Sequence, residues 1–270
     1  MHRLQSISKR CLAAIAFFTR LPLWRVVNIE KEHYEHVVPL WPLAGYVTGG
    51  TMAAVLWGGM AIGLSTGLSV ALALTARVLL TGALHEDGFA DFCDGFGGGW
   101  SRERTLAIMK DSHIGTYGVL GLVLYALIAW NTLTMLLDAG LSPVYIICID
   151  ALSKSLSSTI VCYLPYARTE SEAKNKLLYQ HPAVAEMAAC GVLGVVPFVV
   201  AGLMGSMGPM GLIGLMGLIA LLCCVGAIGV AVLVYTMHRR IGGYTGDCCG
   251  ATVIIIELLL YITLCAIIHI

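Results

Sequence analysis

Long apolar blocks, each close to the length needed to cross a bilayer, recur along the 270-residue chain and restrict it to a membrane-spanning helix bundle. Asking for about 20 apolar residues per crossing yields seven candidate spans, at residues 37–62, 66–84, 115–138, 142–164, 183–204, 209–236 and 250–270. Hydrophobic residues make up 58% of the chain and charged residues 12%, with a mean hydropathy of +0.85. That is more apolar surface than a soluble chain of this length can hide. The expected fold is all-α, a polytopic transmembrane helix bundle of about seven spans in a single integral membrane domain covering residues 1–270. The stretch from Leu12 to Leu23 is too short to cross and is interrupted by Arg20 and Pro22, so an interfacial or re-entrant helix is expected there. Thr19, Arg20 and Pro22 also replace the small-residue pattern of a signal-peptide cleavage site. Gly45, Gly49, Gly50, Gly58 and Gly59 in the first span suit close helix packing in lipid.

Charge then sets the topology. Of the 16 Lys and Arg residues, all but Arg77 and Lys154 fall in residues 1–36, 85–114, 165–182 and 237–249. With seven spans these four segments share one side, and the opposite connections near 63–65, 139–141 and 205–208 hold no Lys or Arg. The positive-inside rule places the shared side in the cytoplasm, in a multi-pass protein of the cytoplasmic (inner) membrane whose C-terminus lies outside. A net charge of zero without a basic block excludes nucleic acid as a partner. None of the ten cysteines forms a CxxC pair and six lie in apolar runs, so neither disulfides nor zinc are expected.

Against this apolar background, HEDGFADFCDG at 85–95 carries Asp87, Asp91 and Asp94. On a helix, steps of four and three residues bring the three onto one face within roughly a 60° arc. Clustered carboxylates repel one another, and a divalent cation relieves the repulsion; hard oxygen ligands favour Mg²⁺ or Mn²⁺. A solvated polar loop between two spans is the plain alternative, and the DxxxDxxDG spacing with Gly88 and Gly95 argues for metal. Ser101 is placed to cap a short helix that ends near Asp111, which lies far enough along to turn back toward the cluster as a fourth carboxylate. Arg102, Arg104 and Lys110 are near enough to meet phosphate oxygens, although topology alone would also explain them.

Charged residues inside the spans face partners or a cavity. Arg77, Thr81 and His85 recur at i, i+4, i+8 and lead one face of the second span into the aspartates. Asp150 and Lys154 are spaced for an intrahelical ion pair, and Glu257 has no sequence neighbour of opposite charge. Between the last two spans, HRRIGGYTGDCCGA offers Asp247 after a Gly-rich turn, with backbone that can come close to a ligand.

FFTRLP at 17–22, WPLAG at 41–45, TGALHEDGFADFCDG at 81–95, RTLAIMKDSHIGTYG at 104–118 and GGYTGD at 242–247 resemble, in order, the motifs of the cobalamin synthase (adenosylcobinamide-GDP ribazoletransferase) family. The resemblance implies a Mg²⁺-dependent membrane enzyme of the last steps of cobalamin assembly. Such an enzyme joins adenosylcobinamide-GDP to α-ribazole or its 5′-phosphate and releases GMP. Asp87, Asp91, Asp94 and Asp111 would then hold one or two Mg²⁺ at the pyrophosphate. His85 or an aspartate not saturated by metal would accept the hydroxyl proton. Arg20, Arg77, Arg102, Arg104, Lys110 and Asp247 complete the expected substrate-binding set, and the number of copies, a homo-oligomer included, stays open. The run from Asp91 is also similar to the opening DxxDG of the CDP-alcohol phosphotransferases, but Gly98, Gly99 and Gly115 stand where that family has its Arg and last aspartate. A transporter built on Arg77, Asp150, Lys154 and Glu257 is the remaining alternative, weakened by the absence of an internal repeat. A reporter fused after Ile270 should read non-cytoplasmic, and a cytoplasmic signal would show that a span has been miscounted.

Overall fold

The five glycines of the first span lie in a 21-residue helix without a charged side chain, and two of them bring its backbone against that of a neighbouring helix. A Cβ on Gly45 would stand 2.7 Å from the Ala151 backbone, and one on Gly49 2.9 Å from that of Ile147. The computed structural model describes residues 2–168, 179–204 and 211–268, and the described residues contain no strand. In order the helices are α1 (His2–Phe18), α2 (Lys31–Glu35), α3 (Trp41–Ala61), α4 (Thr66–Thr81), α5 (Leu84–Gly98), α6 (Arg102–Lys110) and α7 (Thr116–Asp138). They continue with α8 (Val144–Ser158), the single turn α9 (Ile160–Tyr163), α10 (Val184–Leu203), α11 (Leu212–Ile241) and α12 (Gly246–Ile268).

Among the described residues five segments are long and apolar enough to cross a membrane: α7, α8 with α9, α10, α11 and α12. A sixth arises if α4 and α5, bent by 90° at their junction, count as one broken span. The chain is therefore a multi-pass membrane protein. Six of the expected seven overlap these segments, and the seventh falls on α3, which is 21 residues long and free of charged side chains but lies outside this apolar set. The N-terminal segment differs from expectation: α1 begins at His2 and ends at Phe18, ahead of Arg20 and Pro22, and packs its buried Ala13, Ala14 and Phe18 into the core. The basic end of the sixth span is helical too, since α11 runs through Arg239 and Arg240 to a left-handed Gly242.

The four basic segments meet at one end of the bundle. Ala167 N–H donates to Tyr244 O at 2.8 Å and Tyr244 N–H to Pro165 O at 2.9 Å, which ties the loop after α9 to the α11–α12 turn. Arg102 joins the same knot by donating to Ile241 O at 2.8 Å and Ala167 O at 2.9 Å. Arg10 of α1 bonds Glu186 of α10 at 2.8 Å. Lys174 and Lys176, counted in the third basic segment, lie outside the described residues.

Deeper in the bundle, charges from distant spans neutralise one another. Arg77 of α4 donates to both oxygens of Glu257 at 2.7 and 2.8 Å, donates to Tyr125 of α7, and lies 3.7 Å from Glu86 of α5. Asp150 and Lys154 form the expected pair within α8, and the Thr48 hydroxyl of α3 donates to Asp150. Removing one partner strands the other in a low-dielectric interior. Arg77→Met should therefore destabilise the detergent-solubilised protein by about 3–5 kcal/mol. Adding Glu257→Met should restore most of that loss, and unfolding transitions of the single and double variants check both.

Candidate active site

The aspartate helix owes its position to the end of α4. Gly82 (φ 67°) and Ala83 (φ 60°) are both left-handed, and the two residues turn the chain through 90° into α5. Ala83 N–H donates to Val78 O at 3.0 Å, closing the last turn of α4. Arg20 N–H donates to Leu80 O at 2.7 Å, and the exposed Arg20 side chain lies over Gly82 where any Cβ would collide with it.

α5 then packs between α12 and α7, with glycines at the contacts. A Cβ on Gly88 would lie 3.1 Å from the Asp247 backbone, and one on Gly250 3.2 Å from His85 O. The Gly-rich entry to α12 brings its backbone against α5, and Gly246, Asp247 and Gly250 of the same entry line a cavity. On the opposite side, the Asp94 carboxylate accepts the N–H groups of Gly115 at 2.7 Å and Gly118 at 2.8 Å. It thus caps the N-terminus of α7 from another helix, where the helix dipole favours negative charge.

This packing separates the four sequence-predicted metal aspartates. Asp87 is exposed and lines a cavity of about 180 Å³ together with His85, Asp247, Tyr166 and Arg168. Asp91 sits one turn further along α5, partly buried and outside the cavity lining. Asp94 is buried at the α7 cap. Asp111 is exposed at the end of α6, where its hydrogen bonds from the His113 ring and N–H hold its carboxyl below the usual range. Among the described residues no three His, Cys, Asp or Glu side chains are grouped to hold a metal ion by themselves. Asp87 and Asp247 do bring hard oxygen donors from two helices to one cavity, which fits Mg²⁺ held by one or two carboxylates and completed by water and substrate phosphate.

The inner wall of the cavity is aromatic. Phe18 stacks on His85 with ring centroids 5.4 Å apart and planes 9° apart, while Trp41 meets Phe18 and Tyr179 edge-on at 5.4 and 5.8 Å. His85 Nε2 and Trp41 Nε1 are buried without a hydrogen-bond partner among the described residues. Tyr166 and Arg168 form the boundary with a more open groove of about 600 Å³ that also includes Arg102, Glu103 and Lys110. Burial raises the Tyr166 phenol above its usual range, so it presents a neutral hydroxyl.

The predicted basic residues divide accordingly. Lys110 lines the groove and Arg104 is exposed on the same helix. Arg102 spends its guanidinium on main-chain carbonyls, and Arg77 is committed to Glu257 and Tyr125 away from the cavity lining. Arg168, which donates to Leu106 O at 3.0 Å, was not singled out, because an arginine in an irregular loop carries no periodicity. Trp41, Phe17 and Phe18 carry no spacing signal of a site, and only the fold shows that they share a wall with His85.

These placements give the aspartates different physical consequences. Asp94→Asn removes the charge at a helix N-terminus and one of two acceptors, and should cost about 2–3 kcal/mol of stability. Asp87→Asn should shift stability by no more than about 0.5 kcal/mol. Thermal unfolding of both variants in the same detergent checks the contrast.

A sequence model of the cobalamin-5-phosphate synthase family matches residues 10–265. The adenosylcobinamide-GDP ribazoletransferase of Shewanella baltica (strain OS185) is 36% identical over 256 residues, covering 94% of this chain and 92% of that protein. Its namesakes in Shewanella sp. (strain W3-18-1) and Shewanella sp. (strain ANA-3) are 35% and 34% identical over the same shares. No solved structure matches the chain. With a family match that runs from α1 to α12 through all four helices lining the cavity, this chain belongs to the cobalamin-5-phosphate synthase family.

Proposed function

We propose that this chain transfers the cobinamide-phosphate group of adenosylcobinamide-GDP to a hydroxyl of α-ribazole or its 5′-phosphate, releasing GMP. The observation that carries the reading is the convergence of Asp87 from α5 and Asp247 from α12 on one cavity, beside Arg168 and next to a basic groove. In the transfer, the hydroxyl oxygen bonds to the cobinamide-side phosphorus, the bridging P–O bond breaks, and GMP leaves with the electron pair. Two carboxylates alone would repel the pyrophosphate. The site therefore needs cationic charge, and Arg168 and Lys110 supply part of it on the groove side.

Asp87 and Asp247 would hold Mg²⁺, its shell completed by water and substrate phosphate. When bound, the ion neutralises charge building on the phosphoryl oxygens and the leaving GMP. An oxygen of Asp87 or Asp247 not engaged by the ion takes the hydroxyl proton in preference to His85, whose ring is buried and stacked on Phe18. The cavity lies at the end of the bundle where the basic segments gather. By the positive-inside rule that end faces the cytoplasm, in the inner membrane. Soluble nucleotide substrates would then reach the groove directly.

Purified protein given adenosylcobinamide-GDP and α-ribazole should release GMP and form a cobalamin product with Mg²⁺, and neither with EDTA. Asp87→Asn and Asp247→Asn should each lower the rate at least about a hundredfold while the protein stays folded. Unchanged turnover in Asp87→Asn would sink the assignment.

A further inference from the structure

The transfer chemistry uses carboxylates and cations and gives no work to the aromatic wall. That wall is large: Phe17, Phe18, Trp41 and Tyr179 form a continuous chain of ring contacts with centroids 5.2 to 6.0 Å apart, closed by His85 stacked on Phe18. It also contains polar nitrogens that lack partners among the described residues. Trp41 is 1% exposed with its indole N–H unmatched, and His85 is 5% exposed with Nε2 unmatched. Buried polar atoms in a cavity wall are normally satisfied, so an unmatched indole N–H in a residue of that wall calls for an acceptor on a ligand.

We propose that this cavity binds the benzimidazole base of the ribazole acceptor, sandwiched by the aromatic wall, with Trp41 Nε1–H donating to the one unsubstituted ring nitrogen. The assignment rests on the transferase reading above. Three flat groups compete for the space. The corrin ring is too large for a cavity of about 180 Å³. Guanine carries a carbonyl acceptor and several N–H donors along one edge; with Asp87 and Asp247 given to the ion, the aromatic wall offers one indole N–H and one imidazole nitrogen, which leaves most of that edge unpaired. The ribazole base has two fused rings with apolar methyl groups and a single in-plane acceptor, so one donor satisfies it and stacking does the rest. With the base inside, the ribose hydroxyls lie toward Asp87 and Asp247, and a 5′-phosphate lies toward Arg168. The GDP donor is left the open groove that Arg168 and Tyr166 share with the cavity.

Trp41→Phe keeps the ring and deletes the donor. It should raise KM for α-ribazole by about tenfold and leave KM for adenosylcobinamide-GDP and kcat within twofold. An unchanged KM for α-ribazole, or a rise confined to the GDP substrate, overturns the proposal. Calorimetric titration of α-ribazole into the wild-type protein in detergent does not depend on the variant's folding. Binding that survives excess guanosine supports the assignment, and no binding or displacement by guanosine contradicts it. The two readings fail separately: a wild-type protein that binds α-ribazole yet releases no GMP loses the transferase reading and keeps the cavity, whereas a protein that turns over with an indifferent Trp41→Phe does the reverse.

Discussion

Two consecutive residues in the left-handed region, Gly82 and Ala83, are the constraint on which the site depends. For Gly82 the conformation is free of penalty, but for Ala83 it costs about 1–2 kcal/mol. Arg20 offsets this locally with its backbone bond to Leu80 and its side chain laid over the glycine. Without the bend, α4 would run on and carry the aspartates along its own axis. With it, α5 turns through 90° and fits between α12 and α7. Every distinctive contact follows from that placement: Gly88 against Asp247, Gly250 against His85, and Asp94 on the first N–H groups of α7.

The buried charges hold the frame into which α5 is set. Arg77 gathers Glu257, Tyr125 and Glu86, so α4, α12, α7 and α5 share one cation. Asp150, Lys154 and Thr48 join α8 to α3 beside the glycine contacts. Adjacent residues of α5 serve the two systems, since Glu86 faces the buried arginine and Asp87 lines the cavity. Interior pairs of this kind contribute more to the choice of one arrangement of spans than to net stability, because desolvation consumes much of their attraction. Tertiary constraint of that sort is what a two-carboxylate site requires, with its halves on different helices.

Much of the frame was legible in the residues. Span length and apolar content located the long helices, Ser101 capped α6 by accepting the Arg104 N–H, and the Asp150–Lys154 spacing anticipated their pair. The partner of Glu257 was not legible, because Arg77 lies 180 positions away and only packing joins them. The aspartates show the same limit. Helical spacing placed Asp87, Asp91 and Asp94 on one helix, but spacing is blind to the neighbours that each faces. Asp94 meets a helix N-terminus, Asp111 meets His113, and Asp87 meets the cavity. The glycines around Asp247 mark a close backbone approach, and the fold shows a partner that spacing does not name, since Gly250 admits α5 while Gly246 and Asp247 line the cavity.

The proposed reacting centre lies at a junction between two helices and not along the aspartate face of one. Binding of Mn²⁺ in place of Mg²⁺, followed by electron paramagnetic resonance in the presence of GDP, tests that placement most directly. The account predicts that Asp87→Asn and Asp247→Asn each abolish the bound-ion signal while Asp111→Asn retains it. Loss of the signal in Asp111→Asn, with Asp247→Asn binding as the wild type does, would contradict it.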